Sequence, residues 1–522
     1  MKKVKVALLG ASGNMGERLF AYLLSEEHIE EVHILDHDKK GTKALLKSKE
    51  NKKYLSKVKV FTGSIANKEV VKQIIDGVDY VLNLAAAIPP ESDNYPDHAI
   101  EANEIGVKVL VEALEEMNEN QPKLIHTSTV GLYGDRCDKH LYGEVGDPLL
   151  ISPFDLYALT KMRGEYTVLE SKIKSWTVIR QTAMFYDKLM SKNMDDGLMF
   201  HTCVNAPLEW STARTSATLY RNIIREDVKG SLNEDNFWRH CFNIAGGETN
   251  RITGFETGNL GFKMIGASYF QFYEPNYSAI RNFHGLWYSD GDKLENLFHY
   301  QGETVYEFWD KVAKDHKAFK MAKIIPASWL KAFIMKPLLK DDNAPMYWYK
   351  HQDEARMLAY FGGSKKFEAL PKKWKDFNVL ALGKDMEGND VDYNYLRSHP
   401  TRLDHFFDID KPRSELDIND LRSVAEAHAG KLITKEFKKG DIFTKVEWET
   451  QDGERFFACP HTVLYCGHWY NVSYKEHAWD FDRLAKKDKI YAQIWYDHHE
   501  QNEDNYYYFD DKFAAFYKKI GE

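Results

Sequence analysis

The sequence predicts an α/β fold: a doubly wound parallel Rossmann sheet with an additional α+β C-terminal region. Three observations lead there. An apolar run ending at Leu9 passes straight into Gly10-x-x-Gly13-x-x-Gly16, strand-like and helix-like stretches then alternate through the first third, and that alternation is lost in the last third.

The first strand and its turn carry the most information. Gly10 permits a tight turn, Gly13 a close approach to a pyrophosphate, and Gly16 close packing of the following helix on the sheet. With Ser12, Asn14 and Met15 in the same turn, this segment is the expected dinucleotide cradle. Three glycines alone could mark nothing more than a tight junction. The context argues otherwise, because the next stretch, Glu17 to Leu24, has apolar residues at helical spacing. The second strand, Val32 to Asp36, ends in a carboxylate 20 residues past Gly16. An acid there hydrogen-bonds ribose hydroxyls and repels a 2′-phosphate, so NAD(H) is expected over NADP(H), with Lys39 and Lys40 softening the discrimination.

Further strands are expected at Val58 to Gly63, Val78 to Ala85, Leu124 to Thr129 and Trp176 to Thr182. Helices are expected near Lys68 to Asp76, Asp97 to Met117 and Asp155 to Ser171. Ligands of such sheets sit at the carboxyl ends of the strands. Phe242 to Ala245 reads as one more strand, and Glu303 to Lys317 as a closing helix. The expected division is 1–255 for the dinucleotide-binding domain, 256–325 for its closing part, and 326–522 for an aromatic-rich α+β domain that covers the substrate. Strands are expected there around Ile442 to Thr450 and Phe456 to Tyr465.

Composition narrows the function classes. With 522 residues, 43% hydrophobic and 29% charged, the chain can bury several cores, and no apolar run is long enough to span a membrane. The net charge of −9 is spread along the chain, which speaks against a nucleic-acid partner. The N-terminal apolar stretch is too short for a signal peptide and continues into the glycine turn. Five cysteines in so long a chain suggest the cytoplasm rather than a disulfide framework.

Chemistry is suggested after the fifth strand. Tyr157 and Lys161 stand four apart and share one face of a helix, where an ammonium beside a phenol would lower its pKa. A hydroxyl from Thr129, with Ser128 beside it, can hold a substrate oxygen near Tyr157. Together these residues form a proton-transfer site.

On these residues, residues 1–320 resemble the extended short-chain dehydrogenase/reductase family, which includes NAD-dependent epimerases and dehydratases. The resemblance rests on the three glycines, Asp36, Asn83-Leu84-Ala85-Ala86, Asn103, Thr129, Tyr133-Gly134, Tyr157/Lys161, Arg180 and Phe242-Asn243-Ile244. It implies that Leu84, Ala85 and Ala86 pack along the cofactor, that Asn103 belongs to the same site, and that Tyr157 and Lys161 are catalytic with Lys161 also on the nicotinamide ribose. Two departures matter. Gly63-Ser64-Ile65 replaces the usual acid near the adenine, leaving contacts from Ser64 and Ile65, and the usual Asn-x-Tyr-Gly-Pro run gives way to a segment with Met190, Met194 and Met199.

Aromatic residues reach 14%, and the C-terminal third holds Trp348, Trp448, Trp469, Trp479, Trp495 and Tyr506 to Phe509. Each alone suits a core; together they suit a planar aromatic ligand. Length, architecture and aromatic richness are also similar to those of flavone-reducing ene-reductases of anaerobic bacteria. The leading expectation is therefore an NADH-dependent reductase of a bulky planar carbonyl or enone. The alternatives are an NAD-dependent epimerase or dehydratase of a nucleotide-linked sugar, and a cofactor-sensing binding protein, disfavoured because Tyr157 and Lys161 are both retained. A flavin and a homo-oligomer stay open. Cys459, His461, Cys466 and His468, with His477, His498 and His499 downstream, could bring thiolates and imidazoles to zinc. Their spacing is not a common zinc pattern, so no metal is assigned.

Overall fold

The computed structural model describes residues 2–187, 197–264, 266–315, 326–469, 478–508 and 514–515. Its centre is a parallel sheet built from β1 (Val4–Leu9), β2 (Ile29–Asp36), β3 (Val58–Thr62), β4 (Tyr80–Asn83), β5 (Lys123–Thr129), β6 (Trp176–Gln181) and β7 (His240–Asn243). The spatial order is β7-β6-β5-β4-β1-β2-β3, all neighbours parallel. The order reverses beside β1, which opens a crevice at the carboxyl ends of β1 and β4. Central strands are apolar on both faces because helices cover both: Val6, Ala7, Leu8 and Leu9 are all fully buried.

The covering helices are α1 (Gly16–Ser25), α2 (Lys39–Lys47), α3 (Lys68–Ile75), α4 (Gly106–Glu115), α5 (Leu156–Leu169) and α6 (Ala213–Lys229). Several begin where a side chain satisfies the free N–H groups of the first turn: Asn67 for α3, Asp155 for α5 and Thr212 for α6. On one face of the sheet Leu19, Phe20 and Leu23 of α1 pack with Tyr220, Ile223 and Ile224 of α6. On the other, Val71 and Ile74 of α3 pack with Leu110 of α4 and Val168 of α5.

The third core joins segments far apart in sequence. Tyr133, Leu150, Leu159, Ala206 and Tyr288 share it with Trp348, Tyr360, Trp479, Trp495 and Tyr507, so residues beyond 326 complete a core begun before 160. Two antiparallel pairings of the C-terminal third form a three-stranded sheet through Lys431–Leu432, Val446–Glu449 and Arg455–Ala458. The strand expected to reach Tyr465 ends earlier. Pro460 starts a helical turn over His461–Tyr465, its fixed φ suiting the first position.

Candidate functional site

The glycine turn is shaped by close contacts. Gly10 has a φ of +85°, and a Cβ on it would stand 2.8 Å from the Ala85 nitrogen. At Gly16 a Cβ would stand 2.0 Å from the Gly10 carbonyl oxygen, so only glycine lets α1 begin so close to the turn. Gly13 N–H donates to the Gly10 carbonyl at 3.1 Å. No described residue accepts from the N–H groups of Asn14 or Met15, which precede α1 at its partially positive end. The turn thus fits a dinucleotide pyrophosphate. Ser12 packs beside Gly41 at the start of α2. The Asn14 side chain hydrogen-bonds Tyr186.

Other expected cofactor residues divide into wall and support. Ala86 is exposed and Leu84 and Ala85 are half-buried, along the crevice. Asn103 is fully buried and does not face it. Its amide accepts from Ala87 N–H and donates to the Ala87 carbonyl, both at 3.0 Å, and donates to Thr160 Oγ1 at 3.1 Å, which makes it the clamp of the Ala85 to Ala87 segment. The Ser64 hydroxyl donates to Glu101 at 2.8 Å, and Ile65 is buried against Gly106. Asp36 closes β2, and its side chain lies outside the described residues.

Thr129 and Tyr157 meet at the wall of a cavity of about 460 Å³ whose lining also includes Asn14, Trp210, Arg356 and Tyr360. Thr129 stands beside the phenol on this wall, and its hydroxyl accepts from Gly131 N–H at 3.1 Å. Ser128 points the other way, because successive strand residues alternate faces; it is buried, and no described residue hydrogen-bonds its hydroxyl. It takes no part in the cavity.

The expected lowering of the Tyr157 pKa by Lys161 is overturned. Burial pushes the phenol up to about 12 against the hydrogen bond from Thr129, and the nearby charge acting on it is that of Asp155. Lys161 instead donates to the Thr127 carbonyl at 2.6 Å, and burial brings it down to about 8 against the pull of Glu165. Spacing of four puts the two residues on one face of α5, but the ammonium is spent on the Thr127 carbonyl.

Two residues of this cavity carry no sequence pattern. His284 Nδ1 lies 2.9 Å from Asp155 Oδ2, and both line the cavity with Tyr157. Asp155 was legible only as the start of an expected helix, which it caps; His284 was not legible at all.

Among the described residues the tryptophans of the C-terminal third do not build the expected aromatic wall, and Tyr360 is the aromatic side chain of that third on the cavity. Trp348, Trp448, Trp469, Trp479 and Trp495 are at most 5% exposed, packed as core, and none lines the cavity. That third contributes Asn343, Arg356 and Tyr360 to it. Met199 lines it too, whereas Met190, Met194, His477 and Phe509 lie outside the described residues. Of the four groups considered for zinc, Cys466 and His461 face each other while Cys459 and His468 turn to other partners. Cys459 Sγ faces the Phe443 carbonyl, His461 Nε2 lies 3.2 Å from Arg413, Cys466 Sγ lies 3.7 Å from His461 Nδ1, and His468 pairs with Glu165 at 2.9 Å. Among the described residues they form no metal-ligand group.

Residues 6–180, from β1 to the end of β6, match the family model described as NAD dependent epimerase/dehydratase family. The chain carries an NAD-dependent epimerase/dehydratase domain over this span. The glycine turn, Thr129, Tyr157 and Lys161 all fall inside the epimerase/dehydratase domain, and His284 falls outside it. Similar solved structures include dTDP-glucose 4,6-dehydratase from Bacillus anthracis in complex with NAD, 15% identical, covering 61% of this chain and 98% of that one at a TM-score of 0.46. UDP-glucuronic acid 4-epimerase from Bacillus cereus in complex with NAD is 17% identical, with 61% and 99% covered and a TM-score of 0.44. The enzyme WbmG from Bordetella bronchiseptica in complex with NAD is 14% identical, with 62% and 97% covered and a TM-score of 0.44.

Proposed function

We propose that the chain is an NAD-dependent oxidoreductase-type enzyme of epimerase/dehydratase chemistry, acting on a carbinol or carbonyl of a small molecule bound in the 460 Å³ cavity. The observation that carries this is that Thr129 and Tyr157 line the same cavity as Asn14 of the glycine turn. Bound NAD would supply a hydride acceptor and donor, held by the turn at Gly10 to Gly16. Thr129 and Tyr157 bind the substrate oxygen. With its pKa pushed up to about 12, Tyr157 carries its proton near neutral pH and enters as the hydrogen-bond donor and acid at that oxygen. Lys161 places a cation behind the Thr127 carbonyl.

Of the readings open at the sequence level, the family match sides with a nucleotide-linked sugar as substrate over a flavone-like enone. Burial of the C-terminal tryptophans gives them no part in holding a planar aromatic ligand. Titration calorimetry with NAD+ and NADP+ tests the cofactor assignment. NAD+ is expected to bind at least about tenfold tighter, and Asp36→Ala to erase most of that gap; equal affinities in the wild type would contradict the role given to Asp36.

A further inference from the structure

We propose that His284, oriented by Asp155, is a second proton-transfer residue of the cavity, acting on the carbon next to the carbonyl that Thr129 and Tyr157 hold. The proposal rests on the functional reading above and deepens it. A reduction or oxidation at one carbinol needs one proton-transfer group. This cavity holds more than one, and His284 is the histidine among them that an acid orients.

The tautomer follows from the partner. A carboxylate only accepts, so His284 Nδ1, 2.9 Å from Asp155 Oδ2, carries the hydrogen and the neutral imidazole keeps its lone pair on Nε2. No described residue hydrogen-bonds that nitrogen, the side chain is 29% exposed, and the ring is steadied by stacking on Phe283 at 4.6 Å. Asp155 also acts on the backbone, where its Oδ1 accepts from Ala158 N–H at 2.9 Å and caps α5, the helix that bears Tyr157. One carboxylate therefore sets both the imidazole and the start of the tyrosine's helix.

Gly131 reports how close the two proton-transfer groups lie. A Cβ on Gly131 would be in ordinary contact with Thr129 Oγ1 at 3.4 Å, Ala158 Cβ at 3.5 Å and His284 Nδ1 at 3.6 Å, which places the imidazole beside the Thr129 hydroxyl. The loop bearing His284 is fastened from both sides. Asn282 N–H donates to Asp135 at 2.7 Å and Gly285 N–H to the Gly134 carbonyl at 3.3 Å, while Arg281 donates to the Ala359 carbonyl and pairs with Glu503 at 2.9 Å. The C-terminal third thus positions a group of the active cavity.

A ketone acidifies the C–H bond beside it. His284 Nε2 takes that proton: the C–H bond breaks, an N–H bond forms, and the electron pair passes into an enolate whose oxygen is held by Tyr157 and Thr129. Return of the proton to the other face inverts that carbon. If the next carbon carries a hydroxyl, the enolate expels it, and the hydroxide takes the imidazolium proton and leaves as water.

The step needs a ketone and no cofactor, so it can be read on the protein without NAD. The probe is a dTDP-linked 4-keto-6-deoxyhexose in D2O, with loss of the proton beside its carbonyl followed by NMR. The wild type is expected to exchange it, and His284→Asn and His284→Gln to lose at least about 100-fold of the rate at unchanged melting temperature, with Asp155→Asn losing about tenfold. Carbethoxylation of the wild type, mapped to His284 by mass spectrometry, is expected to stop exchange in parallel. Exchange at the wild-type rate in either His284 variant would overturn the proposal. So would a wild type that binds the ketone, seen by saturation transfer, without exchanging it. Failure of NAD+ to bind would sink the functional reading and leave this measurement untouched.

Discussion

At Tyr157 burial outweighs the hydrogen bond from Thr129, and at Lys161 it outweighs the attraction of Glu165; the phenol is pushed up to about 12 and the ammonium down to about 8. Both shifts favour the neutral form, as burial does for acids and bases alike. The lysine shift has a consequence for stability. From about pH 8 to the ordinary lysine value of 10.5, the unfolded chain holds a proton that the folded site has lost, so this group's contribution to stability rises with pH. Below about pH 8 both states are protonated and the group adds no slope. Thermal unfolding of wild type and Lys161→Met is expected to show the wild type gaining on the variant between about pH 8 and 10. A constant difference over that window would contradict the shift. Tyr157, Lys161 and Thr129 were legible because each belongs to a pattern of fixed spacing. Ser128 was read with them, but strand alternation turns it away from the cavity. His284 had no pattern to betray it, since its partner Asp155 lies on a distant part of the chain.

Among the elements, the junction from β1 to α1 is the one whose residues leave least freedom. Gly16→Ala would place a Cβ 2.0 Å from the Gly10 carbonyl oxygen, so α1 must shift away from the turn. The expected cost is about 1–3 kcal/mol of stability, together with loss of NAD+ binding, read by denaturant unfolding and calorimetry. Unchanged values for both would show that the helix does not need this approach. The strand and helix sequence of the first third was legible from periodicity, because each strand of a central parallel sheet must be apolar throughout and each covering helix must have one apolar face. The helical turn at His461–Tyr465 was not, since a run of apolar and aromatic residues satisfies a buried turn and a buried strand equally.

Across the whole molecule, buried polar links fasten the C-terminal third to the Rossmann unit. Arg180 pairs with Glu165 at 2.6 Å and donates to the Cys466 carbonyl at 2.7 Å, and His468 reaches the same carboxylate. Burial alone would raise Glu165, yet the Arg180 charge and the His468 hydrogen bond hold it well below the usual carboxylate range. Such links join residues hundreds of positions apart, which is why the placement of the C-terminal third could not be read from local patterns. Among the described residues no helix is long and apolar enough to cross a membrane. In the function proposed above, this assembly carries out NAD-dependent redox chemistry on a small molecule held by Tyr157. The most direct test of that function is rapid mixing of the NAD+-loaded protein with nucleotide-linked sugars while the absorbance of reduced nicotinamide is followed. The wild type is expected to show transient reduction with at least one of them, and Tyr157→Phe to slow it by about 100-fold or more. Absence of reduction in the wild type across dTDP- and UDP-linked hexoses, or an unchanged rate in Tyr157→Phe, would contradict it.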